Sequence, residues 1–178
     1  MRSALARFDV GALYSALDDK RSEMGLSWTA AAKQIWELSA QLNASRPTDH
    51  PISPATLTNM VKNRGISCQH ALFTLRWLAR TPESFLAPPP DDDGRFKLPE
   101  VDPGHRLRWS LKRLYASMDA QRRAENLGWV ALAEVIGCSA NQLTGLRTAK
   151  FATSMDLAMR IAQWTGRPGA EFVYAATW

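Results

Sequence analysis

Apolar residues recur at helical spacing along almost the whole chain, and Pro and Gly punctuate them. Asp9 is placed to cap a first helix carrying Val10, Leu13, Leu17 and Met24, with Gly25 near its end. Ser27 caps a second, with Trp28, Ala31, Ala32, Ile35 and Trp36, which runs on through Leu38 and Leu42 until SRPTDHP breaks it near Arg46 and Pro47. Ser53-Pro54 starts a third helix, with Pro in the first turn where its missing N–H costs nothing. Leu57 and Met60 face inward on it, Thr58, Asn59 and Lys62 face outward, and it ends around Arg64-Gly65. Ser67 opens a fourth helix with Leu72, Leu75 and Leu78. Thr81-Pro82-Glu83 starts a short fifth that ends at Phe85-Leu86.

The next stretch, APPPDDDGRFKLPEVDPGH, has no apolar face and reads as a linker over residues 87–105. It is semi-rigid where prolines cluster, and at roughly 3 Å per residue it could span a long distance when extended. Its aspartates have no accompanying His or carboxylate cluster that would suggest a metal. Helical spacing resumes at Leu107, with Leu111, Leu114 and Met118 on one face. Trp129 to Ile136 follows, then a helix from Ser139, one capped by Thr153 with Leu157, Ile161 and Trp164, and a last short element from Pro168 to Tyr174. No segment sustains β alternation, so the pattern predicts an all-α protein.

The second half repeats the first. Leu13-Tyr14 matches Leu114-Tyr115, 101 positions on, and the same offset pairs Asp18 with Asp119, Arg21 with Arg122, Trp28 with Trp129 and Ile35 with Ile136. Downstream the offset becomes 86: Ser53 meets Ser139, Leu57 meets Leu143, Thr58 meets Thr144 and Pro82 meets Pro168. The first copy therefore carries an insertion, at about residues 37–51. Chance readily matches a few leucines, but two Trp, a Leu-Tyr pair, an Asp and an Arg in one register mark two copies of one unit. The expected division is 1–86, a linker at 87–105, and 106–178, with five short helices in each copy.

Within the second copy, Ala131 to Lys150 reads as two short helices around a tight turn. Ala131, Leu132, Val135 and Ile136 pattern the first, and Gly137 stops it. Ser139 caps the next, with Leu143 and Leu146 inward and Asn141, Gln142, Thr144 and Arg147 outward. This is the form of a helix-turn-helix, and equally of an ordinary αα-hairpin with a polar second helix. Ala133, Gly137-Cys138-Ser139, Leu143, Leu146 and Arg147 carry a likeness that Ala32, Ile52-Ser53-Pro54, Leu57, Met60 and TLRWLARTPESFL carry in the first half. On these residues each half resembles the lambda-repressor-like domain of xenobiotic response element (XRE) family regulators of bacteria and phages. The likeness omits the linker and the insertion, and the insertion sits inside the first half's turn.

The resemblance implies two tandem five-helix domains whose third helices enter the major groove. Base-reading candidates are then Pro54, Ala55, Thr58 and Asn59, and Ala140, Asn141, Thr144 and Gly145. Asn59 and Asn141 suit adenine, and Ala and Thr methyls suit thymine. Phosphate candidates are Ser53, Lys62, Arg64, Ser139, Arg147 and Lys150. For the bases among them the alternative is a solvated helix end, where the dipole favours cations. For the caps the alternative is capping alone. Trp28, Trp77, Trp129 and Trp164 are expected in the core.

Composition narrows the function. The chain has 178 residues, with Lys plus Arg exceeding Asp plus Glu by 22 to 17, and a moderate basic excess suits a polyanionic partner. No apolar run approaches a membrane span, and MRSALARFDV lacks a signal-peptide core. Cys68 and Cys138 are isolated, pointing to a reducing cytoplasm, and His50, His70 and His105 lie far apart, so no metal site is expected. No nucleophile–base set and no phosphate-cradling Gly loop suggests an enzyme, and neither a cofactor nor a small-molecule ligand is evident. The expected function is sequence-specific binding of double-stranded DNA by two units in one chain, a transcriptional regulator on an asymmetric bipartite operator. A homodimer is left open. The alternative is a protein-interaction module that no longer reads DNA, using apolar residues of the C-terminal EFVYAATW.

Overall fold

A computed structural model of the chain describes residues 4–91, 96–149 and 153–178. Most of it is helical. The first part comprises α1 (Val10–Glu23), α2 (Trp28–Glu37), α3 (Ala40–Ser45), α4 (Pro54–Thr58), α5 (Cys68–Leu78) and a 3-10 turn (Pro82–Phe85). The second comprises α6 (Leu111–Ala124), α7 (Trp129–Ile136), α8 (Ala140–Thr144) with a 3-10 turn (Gly145–Thr148), α9 (Met155–Thr165) and a 3-10 turn (Gly169–Phe172). Asp9, Ser27, Ser53, Ser67, Ser110, Ser139 and Ser154 each accept a hydrogen bond from a first-turn amide. Those amides would otherwise lack partners, which is why the sequence restarts these seven helices behind a small polar residue; α7 starts behind Gly128 and α3 behind Ser39, neither with a side-chain cap.

Strands correct the all-α expectation. β1 (Arg7–Phe8) pairs antiparallel with β2 (Leu86–Ala87), and β3 (Arg106–Trp109) with β4 (Val173–Ala176). Leu107 therefore opens no helix, and the segment from Pro168 to Tyr174 is a 3-10 turn feeding β4. Strands of two and four residues are too short to show alternation. The second helix also stops earlier than its apolar spacing predicts. α2 ends at Glu37, Leu38-Ser39 turn, and α3 starts afresh. Ser154, not Thr153, caps α9.

The same local device holds the start of each half. Arg21 pairs with Asp18 at 2.5 Å, donates to the Leu26 carbonyl at 2.7 Å and lies 4.8 Å over Trp28. Arg122 pairs with Asp119 at 2.6 Å, donates to Leu127 at 2.7 Å and lies 4.2 Å over Trp129. Tyr14 and Tyr115 stack on the same two rings, at 5.3 and 5.8 Å. Trp28 and Trp129 are half-buried against the core rather than within it, and Trp77 and Trp164 are buried.

The halves exchange strands of contact. β1 of the first half lies on α9, and β3 of the second lies on α5. Gln163 exchanges two 2.8 Å hydrogen bonds with the backbone of Ala6, Asp156 accepts from the Phe8 amide at 2.9 Å, and Gln69 donates to the Leu107 carbonyl at 2.9 Å. Between them the Cys68 amide donates to Thr153 and the Met155 amide to Ile66, both at 2.9 Å, an antiparallel bridge centred on Ser67 and Ser154. The buried apolar side chains of both halves form one continuous cluster.

The insertion has a structural task. Arg106 of β3, 3% exposed, donates to Asp49 at 2.7 Å and to Asn43 at 2.9 Å and packs 4.6 Å from Trp36. The Leu42 amide donates to the Pro103 carbonyl at 3.1 Å, and Ser39 donates to the His105 carbonyl at 2.6 Å. From α5, Arg76 donates to Ser39 Oγ at 2.8 Å, Leu38 O at 2.9 Å and Val101 O at 3.1 Å. Residues 101–105 are thereby gripped between the insertion and α5, because the Leu42 amide and the Ser39 and Arg76 side chains satisfy their carbonyls.

Candidate nucleic-acid interface

α4 and α8 are built alike. Ser53 accepts from the Thr56 amide and Ser139 from the Gln142 amide, both at 3.2 Å. Leu57 and Met60 under α4, and Leu143 and Leu146 under α8 and its following turn, are at most 4% exposed. These anchors turn the remaining positions outward. Ala55, Thr58, Asn59, Asn141 and Gly145 are exposed, and Pro54, Ala140 and Thr144 are half-buried. Ser53, Lys62, Arg64, Ser139 and Arg147 are exposed as well. Lys150 lies outside the described residues.

Hydrogen bonds sort these candidates. Thr58 Oγ1 turns back to the Pro54 carbonyl at 3.3 Å and Thr144 Oγ1 to Ala140 at 3.2 Å. Gln142 Oε1 accepts from the Ser139 amide at 2.9 Å, completing a capping box. Gln142 is exposed, as its spacing suggests, but its Oε1 is tied to its own helix. The threonines offer methyl groups more readily than hydroxyls. The Asn59 and Asn141 side chains make no hydrogen bond to another described residue, and Lys62, Arg64 and Arg147 make no ion pair with one.

Electrostatics favour one sign of partner. Ser53–Gly65 and Ser139–Lys150 contain no Asp or Glu and carry Lys62, Arg64, Arg147 and Lys150. Glu134 on α7 is the exposed acid nearest in sequence to the second stretch. The two faces are not copies. Asn141 corresponds to Ala55, Gly145 to Asn59, and Arg147 to Val61, which is 47% exposed.

The turn before α8 is locked from behind. Gly137 caps α7 at φ +81°, a conformation that favours glycine. Arg160, 8% exposed, donates to the Ile136 and Gly137 carbonyls at 2.5 and 2.8 Å and pairs with Asp156 at 3.0 Å. Asp156 also pairs with Arg7 at 2.8 Å. Burial pushes the Asp156 carboxyl up, but hydrogen bonds from Arg7 and the Phe8 amide, with the charges of Arg160 and Arg7, outweigh it and hold the pKa low. Sequence reasoning missed this chain of contacts, because helical spacing places Arg160 among buried positions without showing what it reaches.

Other expectations change or stay bounded. Phe172, Val173 and Ala176 of EFVYAATW are buried, and Trp178 is 53% exposed with Arg108 4.5 Å over its ring. That tail packs onto its own half rather than offering an apolar face. Val130 and Val135 on α7 are 67% and 49% exposed, although Val135 has core spacing. Burial raises the thiols of Cys68 and Cys138, so neither is a ready nucleophile. Among the described residues no three His, Cys, Asp or Glu could hold a metal ion, and no helix is long and apolar enough to cross a membrane. Comparison with known proteins finds no matching family, no matching curated protein and no matching solved structure.

Proposed function

We propose that the chain is a sequence-specific binder of double-stranded DNA. It carries two lambda-repressor-like helix-turn-helix units of the XRE type in one polypeptide and acts as a cytoplasmic transcriptional regulator. The observation that carries this is the shared construction of α4 and α8. Each is capped by Ser, anchored by two buried apolar residues, and turns an acid-free polar face outward, with cations following. Asn59 and Asn141 supply groups suited to base edges, and Lys62, Arg64 and Arg147 supply phosphate contacts. Because the two faces differ, the site read is asymmetric and bipartite.

Selection of bound sequences from random duplexes tests this with the full chain. An enriched two-part motif is expected, and the absence of any enriched motif would remove the proposal. Point substitutions suit the dissection better than removing residues 1–86, since β3 would lose α5.

A second reading rests on Val130 and Val135, exposed on α7: a protein partner covering them in place of DNA. Salt separates the two. Duplex affinity falls steeply as salt rises, and association through an apolar face does not.

A further inference from the structure

A cavity of about 590 Å³ opens between the end of α5 and residues 97–101. Its volume lies within the usual range for a small-molecule site. Leu98, Val101 and the buried Leu107 give it an apolar floor, and among the described lining residues Arg76, Arg80 and Lys97 are three cations against one acid, Glu100. Arg76 is held rigidly by its carbonyl partners. Arg80 lies 4.2 Å over the Phe85 ring and has no carboxylate partner among the described residues. The carbonyl end of α5 is negative, and three cations more than offset it.

The related cleft beside α9 shows what the charges add. There Gln163 stands where Arg76 stands beside α5, and no cation is among the described residues that line the wall. Arg167, which follows α9 as Arg80 follows α5, is paired with Glu171 at 3.0 Å. Among the described residues, the first cleft joins an apolar floor to Arg80, a cation paired with no carboxylate, and the second does not.

We propose that this cavity binds a small amphipathic carboxylate, its apolar body on Leu98, Val101 and Leu107 and its anionic group between Arg80 and Lys97. None of the lining residues belongs to α4 or α8.

Calorimetric titration of the full chain with decanoate, and with decanol as the uncharged control, tests it. Saturable one-to-one binding of decanoate is expected, with decanol at least 10-fold weaker. Arg80→Met should weaken decanoate about 10-fold and leave decanol unchanged, the ratio expected for losing one charged contact. Leu98→Trp, or Ser84→Trp should the first fail to fold, should fill the cavity and abolish binding of both. Absence of saturable decanoate binding at millimolar concentration would overturn the proposal. So would binding that neither Arg80→Met nor the filled variant alters.

Discussion

Asn59 and Asn141 carry the largest share of the proposed specificity, because their amides are exposed and uncommitted beside caps that are already satisfied. Asn141→Ala should relax preference at one base pair at a cost of about 1–3 kcal/mol, and Lys62→Ala should weaken all duplexes alike and lower the salt slope by about one. Binding measured across a set of single-base variants and salt concentrations checks both. Outward positions were legible in the sequence because buried Leu57, Met60, Leu143 and Leu146 fix the phase of each helix. The local bonds of Gln142, Thr58 and Thr144 were not, since spacing cannot show a side chain turning back on its own turn.

Glu83 behaves differently from these surface residues. It is 7% exposed, accepts from the Gly169 amide at 2.6 Å through one oxygen, and has no partner for the other among the described residues. Burial pushes its carboxyl above the ordinary 4.5, the Gly169 amide opposing only in part. A carboxyl with a raised folded pKa keeps its proton longer folded than unfolded. Its contribution is therefore fully present below pH 4.5 and is lost as pH rises through the raised value. Glu83→Gln should flatten the fall of the unfolding midpoint with pH over that window. An unchanged slope would show that Glu83 does not titrate there.

At the scale of elements, caps and turns decide how firmly α4 and α8 are held. Ser139→Ala leaves the Gln142 amide without its partner and should cost about 1 kcal/mol, a fall of about 2–4 °C in the unfolding midpoint by calorimetry. Arg160→Leu should loosen the Gly137 turn without touching the exposed face. DNA affinity should fall roughly 3- to 10-fold with base preference unchanged, the range for a residue acting through its neighbours. A changed base preference would mean that Arg160 shapes the reading surface itself. Helix starts were legible from Ser and Asp before apolar runs. β1 and β3 were not, because their pairing partners lie far along the chain and their lengths leave no period to detect. The break at Leu38-Ser39 was hidden for the opposite reason: Leu38 and Leu42 continue the helical spacing across it.

At the scale of the molecule, the repeat was plain in sequence and the way its copies join was not. An insertion and a linker read as separate departures from the repeat. In the fold they meet, with Arg106 reaching Asn43 and Asp49 while Arg76 holds Leu38 and Val101. Such contacts join residues dozens of positions apart and leave no periodic trace. Arg106→Met keeps the apolar packing on Trp36 but removes the grip. It should lower the unfolding midpoint by several degrees and widen the range of half-site spacings that the chain tolerates.

Footprinting of the full chain on a selected duplex tests the central claim most directly. Two protected patches on one face, about one helical turn or ~34 Å apart, are predicted, one weakened by Asn59→Ala and the other by Asn141→Ala. A single patch indifferent to Asn59→Ala, or no protected patch at low salt, would contradict it.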